Sequence, residues 1–297
     1  MKVWNRYHTP STIDEALQLL ADYNGAARVV AGGTDLLIEL REGAKPPQEA
    51  LVDVTFIPEI AAIHQSDDYI FIGAAVTHDQ ITKSRIINEQ ALCLVESCGV
   101  VGGPQVRNVG TIGGNVAHAL PAGDGTISLV ALDSEAEIIL NGNRQWISIH
   151  DMFVGPGKSL IDPTRDLLLG FRFKVLDGKS ASAFERIMRP QGVALPIMGC
   201  AVSIKLDDSG TVFRQLRICV APTGPVPSRL VEVEEVLLKQ EASEDSIEAA
   251  ISRTYDVVHP RTSKYRATAD YRREVIPVLL RRTLHTAISR ARQVNRD

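Results

Sequence analysis

Two glycine-rich turns constrain this chain more than any other feature: Ala31-Gly32-Gly33-Thr34-Asp35 and Gly110-Thr111-Ile112-Gly113-Gly114-Asn115. The first follows a short apolar run, Arg28-Val29-Val30-Ala31, and precedes residues 35–40, which can open a helix, so it reads as a strand–turn–helix junction. Glycine there permits positive φ and lets backbone approach a ligand closely. Successive N–H groups in such a turn make an anion-binding nest, and the start of the following helix adds partial positive charge. Thr34 adds a hydroxyl donor. This is phosphate chemistry without a basic side chain. The spacing is neither G-x-G-x-x-G nor a P-loop with its lysine, which disfavours a Rossmann site and a Walker NTPase. Taken alone, the turn reads equally well as a helix entry capped by Asp35.

The second turn lies in a glycine-rich stretch, residues 99–125, with almost no periodicity, and a long irregular segment inside a compact domain is usually functional. Asn115 tolerates unusual φ and offers both donor and acceptor. Asp124, in Pro121-Ala122-Gly123-Asp124, is placed to accept a hydrogen bond from a ribose or ribityl hydroxyl, or simply to cap a helix beginning near Thr126. Two nests and a hydroxyl-binding acid together suit a dinucleotide whose pyrophosphate is gripped between the turns.

The remaining pattern is α/β in the first half and β-then-α in the second. A capping box from Thr12 to Glu15 opens a helix with Ile13, Leu17 and Leu20 on one face. Strands are expected at residues 28–31, 51–54 and 69–72, a helix capped by Thr77, a longer helix at 88–98 and another at 126–132. Asn141-Gly142 marks a type I′ hairpin between residues 137–140 and 145–149, and 166–174 is the closing strand. Residues 183–188, 197–205 and 212–220 alternate like antiparallel strands, and helices follow at 231–239, 246–257 and 272–292; this order suggests a sheet with helices on one face. The expected units are 1–57, 58–177 and 178–297.

These residues resemble a known family. Ala31-Gly32-Gly33-Thr34-Asp35 paired with Thr111-Ile112-Gly113-Gly114-Asn115 is similar to the signature of FAD-binding medium subunits of the molybdenum hydroxylases, the xanthine dehydrogenase and carbon monoxide dehydrogenase group. The likeness extends to Tyr7-His8-Thr9-Pro10, Asp166-Leu167-Leu168-Leu169 and Tyr271-Arg272-Arg273. It implies an α+β fold: a two-part FAD-binding domain of the p-cresol methylhydroxylase type, then a C-terminal antiparallel sheet flanked by helices. It implies that Val29, Val30, Ala31, Gly32, Gly33, Thr34, Asp35 and Leu36, with Thr111, Ile112, Gly113, Gly114 and Asn115, wrap the FAD pyrophosphate. His118 and Asp124 then lie along the ribityl and adenosine part, and Val101 and Leu168 flank the isoalloxazine ring. Xanthine dehydrogenases tend to carry an aromatic where Val101 stands, so valine is a departure. Arg186 and Arg189 fall where the family often places a cation near the flavin, Glu185 competing for that position; two surface charges on a strand is the equal alternative. The cysteine-rich insertion that holds a [4Fe–4S] cluster in one relative would follow Asn115, and no cysteine stands between Asn115 and Asp124.

The family's partners are a molybdopterin-binding large subunit, carrying the molybdenum cofactor, and a small subunit with [2Fe–2S] clusters, assembled as a dimer of heterotrimers. Electrons then reach FAD from the clusters and leave to an external acceptor, with no acid/base catalyst on this chain. The rival readings are a stand-alone flavin-dependent oxidoreductase and an assembly subunit that has lost FAD; the intact glycine pair argues against the latter.

Composition supports a soluble, cytoplasmic protein. The 297 residues are 44% hydrophobic and 23% charged with net charge −4, which recruits neither nucleic acid nor an anionic membrane. No run has the length of a membrane span, and residues 1–20 lack the apolar core of a secretory signal. Cys93, Cys98, Cys200 and Cys219 are too scattered for a disulfide framework and read as buried thiols. The seven histidines show no metal-ligand spacing. Arg281, Arg282, Arg290, Arg292 and Arg296 alternate with Leu280, Leu284 and Ile288 at helical spacing, so they mark an amphipathic helix rather than an RNA-binding run.

Overall fold

The computed structural model describes residues 3–189, 195–264 and 266–294; Arg296 of the basic run lies outside them. The chain begins with β1 (Trp4–His8), α1 (Ile13–Asp22), β2 (Ala27–Val30), α2 (Leu36–Arg41) and β3 (Gln48–Asp53). The three strands are parallel in the order β1-β3-β2. Central β3 is buried from Ala50 to Asp53, which is why Ala50-Leu51-Val52 is unbroken apolar sequence. Thr12 caps α1 through Glu15 N–H (3.1 Å), but the reciprocal arm reaches one residue further upstream, Ser11 N–H donating to the Glu15 carboxylate (2.8 Å). β1 has no apolar face of its own and is ordered by its pairing with β3.

Next come β4 (Ile63–Ser66), β5 (Tyr69–Gly73), α3 (His78–Lys83), α4 (Arg85–Gln90), α5 (Leu92–Gly99), α6 (Pro104–Val109), α7 (Ile112–Ala117) and α8 (Asp124–Ala131). β6 (Glu135–Leu140), β7 (Asn143–Ser148), the small hairpin β8 (Phe153–Gly155) and β9 (Lys158–Ser159), and β10 (Leu167–Lys174) complete this part. Its five-stranded antiparallel sheet has the order β4-β5-β10-β6-β7, so β10 closes it by entering the centre. Asn141 (φ 50°) and Gly142 (φ 80°) make the tight hairpin turn. Ile139, Leu167 and Leu169 of this sheet share one core with Ile13, Ala16, Leu20 and Val52, joining the two parts.

Two expectations are corrected here. Residues 88–98 are not one helix: the chain breaks at Ala91 (φ −150°, ψ 61°), and the free amide of Cys93 in the first turn of α5 donates to Ser182 Oγ (3.2 Å). Residues 99–125 are not irregular. α6 opens with Pro104 at its first position, where the missing N–H costs nothing, and α7 is capped by Thr111 Oγ1 accepting from Gly114 N–H (3.0 Å).

The last part is a three-stranded antiparallel sheet, β11 (Ser180–Met188), β12 (Pro196–Leu206) and β13 (Phe213–Ala221), in that order. α9 (Val231–Leu237), α10 (Glu244–Val257) and α11 (Ala269–Gln293) follow. Helices cover both faces rather than one. Met198, Cys200, Val202 and Ile204 face a core shared with α9–α11, whereas Phe184, Ala201 and Cys219 join the core containing Leu94 of α5 and Ile127 of α8. Apart from Phe184 the second face is built of small residues, among them Gly199, Ala201 and Cys219, so that α8 can come close; a Cβ on Gly199 would stand 3.0 Å from Ile127 Cδ1.

Glu96 ties these layers. It accepts from Phe184 N–H (2.7 Å) and pairs with Arg290 of α11, which also donates to Ser182 O (2.8 Å). Glu96→Ala removes two charge-assisted bonds and is expected to cost about 2–3 kcal/mol, read as a lowered thermal midpoint; an unchanged melt would show that the clasp contributes nothing. Among the described residues no helix is long and apolar enough to cross a membrane.

Candidate functional site

The two glycine turns meet. A Cβ on Gly32 would lie 2.1 Å from Val109 O and 2.7 Å from Gly110 Cα, so only glycine lets the first turn rest on the second. Gly113 is equally constrained, its Cβ falling 2.5 Å from Ala74 O. Gly33 has φ 65° and bends the chain out of β2 into α2.

The turns offer different chemistry. Among the described residues, nothing accepts from the backbone N–H groups of Gly32, Gly33 and Thr34, so the first turn is an open cradle of amides. Asp35 occupies the cap position of α2 without making a side-chain cap bond. The second turn is not a second nest. Ile112 N–H donates to Val76 O (3.0 Å), Gly113 N–H to Ala74 O (3.0 Å) and Gly114 N–H to Thr111 Oγ1 (3.0 Å). Its amides are engaged in docking α7 onto the strand end, which leaves side chains to face outward. Asn115 Oδ1 accepts from Thr126 N–H and Oγ1 (both 3.1 Å), turning its amide nitrogen free to donate.

A cleft of about 580 Å³ opens over both turns. It is lined by Val29 to Leu36, Val101, Thr111, Gly113, Gly114, Asn115, His118 and Leu168, all singled out in the sequence. His118 Nε2 stands 3.9 Å from Asp35 Oδ1, bridging the two turns at the rim. Arg107 Nη1 donates to Gly102 O (3.0 Å) and Val101 O (3.3 Å) and so fixes the loop that carries Val101. Leu168 sits at a bulge in β10, aimed into the cleft.

Five singled-out residues do not line it: Ile112, Asp124, Glu185, Arg186 and Arg189. Ile112 is fully buried in the core below. Asp124 and Arg186 are joined to each other, Arg186 Nη1 donating to Asp124 Oδ2 (2.6 Å), each side chain 6% exposed. This pair lies one layer behind Asn115, whose partner Thr126 is two residues beyond Asp124. Burial pushes the Asp124 carboxyl up to about 6, and the Arg186 guanidinium offsets only part of that rise. Asp124 Oδ1 and Arg186 Nε have no partner. Arg189 lies away from the cleft and donates to Arg266 O (3.2 Å).

Other lining residues carry no motif. Arg28, Lys45 and Lys158 bring positive charge, Lys45 already paired with Glu39. Gly157, Lys158 and Ser159 come from the β8–β9 hairpin, held by Gly157 N–H donating to Ala119 O (2.9 Å). Pro163 borders the cleft where its carbonyl accepts from Val29 N–H (2.8 Å). His78 lines it too. The one legible signal among these was Gly157 followed by Lys158, a positive-φ turn beside a cation.

Residues 2–173, more than half of the chain, match the family described as the FAD binding domain in molybdopterin dehydrogenase. The chain belongs to this family, the FAD-binding medium subunits of the molybdenum hydroxylases. In this flavoprotein subunit residues 182–287 also match the CO dehydrogenase flavoprotein C-terminal domain. The 6-hydroxypseudooxynicotine dehydrogenase complex subunit alpha of Paenarthrobacter nicotinovorans is 33% identical over 96% of this chain and 95% of its own. The nicotinate dehydrogenase FAD-subunit of Eubacterium barkeri is 28% identical over 91% of each. A structure of the carbon monoxide dehydrogenase from Hydrogenophaga pseudoflava, described as lacking the Mo-pyranopterin moiety of its molybdenum cofactor, has a chain that superposes with a TM-score of 0.90 at 25% identity, covering 98% of this chain and 99% of that one.

The residues present fit FAD. The open amides of Gly32, Gly33 and Thr34 meet an anion's needs, and a Cβ on Gly32 would push the cradle away from the second turn. The cleft is within the range of small-molecule sites, roughly 300–1,000 Å³. Its lining combines apolar Val101, Leu168 and Ile161 with the polar cradle, the mixture a flavin dinucleotide requires.

Proposed function

We propose that this chain stations FAD between [2Fe–2S] clusters on a small partner subunit and an external acceptor, the substrate being oxidised at a molybdenum cofactor on a large partner subunit. The observation that carries the reading is the contact of the two glycine turns beneath one cleft. FAD, when bound, supplies the conversion between one-electron and two-electron transfer. The chain's own part is positional. The Gly32–Thr34 amides hold the diphosphate, Asn115 and the Thr111 hydroxyl donate alongside, and Val101 and Leu168 exclude water from the two sides of the ring. His118 closes the rim with Asp35. Asp124 and Arg186 act from behind Asn115, keeping α8 and β11 in register under the ribityl end.

Relatives that match nearly end to end are named as subunits of dehydrogenases, which supports a heterotrimer, and by extension a dimer of heterotrimers in the cytoplasm. Boundaries at 57/58 and 177/178 fall between the three larger sheets and are proposed as the unit limits. Anaerobic mixing tests the reading. Flavin absorbance should bleach on adding the reducing substrate only when both partner chains are present. Bleaching of the isolated chain by that substrate would favour a stand-alone oxidoreductase instead.

A further inference from the structure

We propose that His78 is a neutral hydrogen-bond donor to an anionic oxygen of the nucleotide's diphosphate, and that Cys98 is the positioning residue that sets its proton. The proposal rests on the reading of the cleft as a flavin dinucleotide site. His78 opens α3 directly after the cap residue Thr77, which forms a full capping box with Gln80. Its backbone N–H donates to Gly110 O (3.0 Å), so the residue is clasped to the second turn. Its side chain is 2% exposed and still borders the cleft. A Cβ on Gly110 would have His78 Cδ2 at 3.5 Å and the Thr34 methyl at 3.8 Å, so the Cδ2 edge of the ring and the Thr34 side chain both face that glycine at the meeting of the two turns.

The two ring nitrogens have different fates. Nδ1 lies 3.3 Å from Cys98 Sγ, and among the described residues Nε2 has no partner. Burial, with Arg107 adding to it, holds the imidazole down at about 4, so the ring is neutral. Burial raises the Cys98 thiol, so sulfur keeps its proton. The protonated thiol can donate to an imine Nδ1, which leaves the ring proton on Nε2, facing the cleft. In the opposite tautomer Nε2 would present a lone pair to an oxygen already drawn in by the Gly32–Thr34 amides. The anionic oxygen at Nε2 and the thiol at Nδ1 together favour the Nε2–H tautomer.

Calorimetric titration of the full, flavin-stripped chain with FAD, ADP and riboflavin tests this. His78→Gln places an amide N–H where Nε2 stood and should bind FAD and ADP within about twofold of wild type. His78→Asn reaches only the Nδ1 position and should weaken both by about tenfold, the loss of one charge-assisted bond, with riboflavin unchanged because it has no phosphate. Cys98→Ser should retain affinity and Cys98→Ala should lose part of it. Equal affinities for Gln and Asn variants, or parallel losses for riboflavin and ADP, would overturn the donor role. Failure of the wild-type chain to bind FAD or ADP would instead remove the cleft reading on which the proposal stands.

Discussion

Gly32→Ala is expected to strip the chain of FAD. The added carbon would stand 2.1 Å from Val109 O, 2.7 Å from Val109 C and 2.7 Å from Gly110 Cα, all main-chain atoms that no rotamer change can move aside. The first turn must therefore lift off the second. Overpacking of this kind costs about 1–3 kcal/mol of stability. The larger effect falls on the ligand, because the three open amides lose their aim at the diphosphate together. A loss of more than about a hundredfold in FAD affinity is expected, equivalent to roughly 2.7 kcal/mol. Flavin content of the purified variant and its dissociation constant after reconstitution both report it. Gly224→Ala is the control: its nearest atom, Val226 O, lies 3.7 Å from the added carbon, and its φ lies outside the left-handed region. Equal flavin content in the two variants would show that the turns need not touch for the cofactor to bind.

Arg186→Met should produce the largest loss of fold stability, and the loss should grow with pH. The Asp124 carboxylate is 6% exposed and has Arg186 as its bonded counter-ion (2.6 Å). Removing one member of such a pair leaves an uncompensated buried charge, worth about 3–5 kcal/mol. The pH dependence follows from the direction of the Asp124 shift. Its folded value, about 6, lies above the ordinary carboxylate range. The native state therefore holds the proton more tightly than the unfolded chain, whose carboxyl titrates near about 4. This group's contribution falls as pH rises from the unfolded value to the folded one and is level above that. Without the guanidinium the folded value climbs further, so the variant keeps losing stability above pH 6, where wild type is level. Urea midpoints between roughly pH 5 and 8 should diverge upward; a constant gap between the two proteins would mean that Asp124 does not titrate against Arg186.

Much of this was legible because it was local. Asn141-Gly142 specifies its turn by backbone preference alone, and Thr12 and Thr77 cap helices wherever those helices pack. The glycine pair was legible as a pair because steric need survives in sequence as the absence of a side chain. What escaped depended on partners distant in the chain. β1 is Trp-Asn-Arg-Tyr-His, with no alternation, and exists as a strand only beside β3. α6 and α7 hide in glycine-rich sequence of low helix propensity because the contacts that order them, such as Gly113 N–H to Ala74 O, lie across the sheet. The second turn looked like a second amide nest for the same reason, since nothing in Ile112-Gly113-Gly114 announces that its N–H groups meet Val76 and Ala74. Asp124 and Arg186 were each assigned to a ligand separately; their union joins residues 62 positions apart. His78 is one of seven histidines and becomes distinct only when Cys98 closes on one nitrogen and the cleft opens at the other.

The most direct test is calorimetric titration of the flavin-stripped, full-length chain with FAD, repeated in saturating ADP. One FAD per chain, with ADP competing for the same cleft, is the predicted result. A chain that takes up no FAD, or takes it up with no competition from ADP, would contradict a diphosphate held on the Gly32–Thr34 amides.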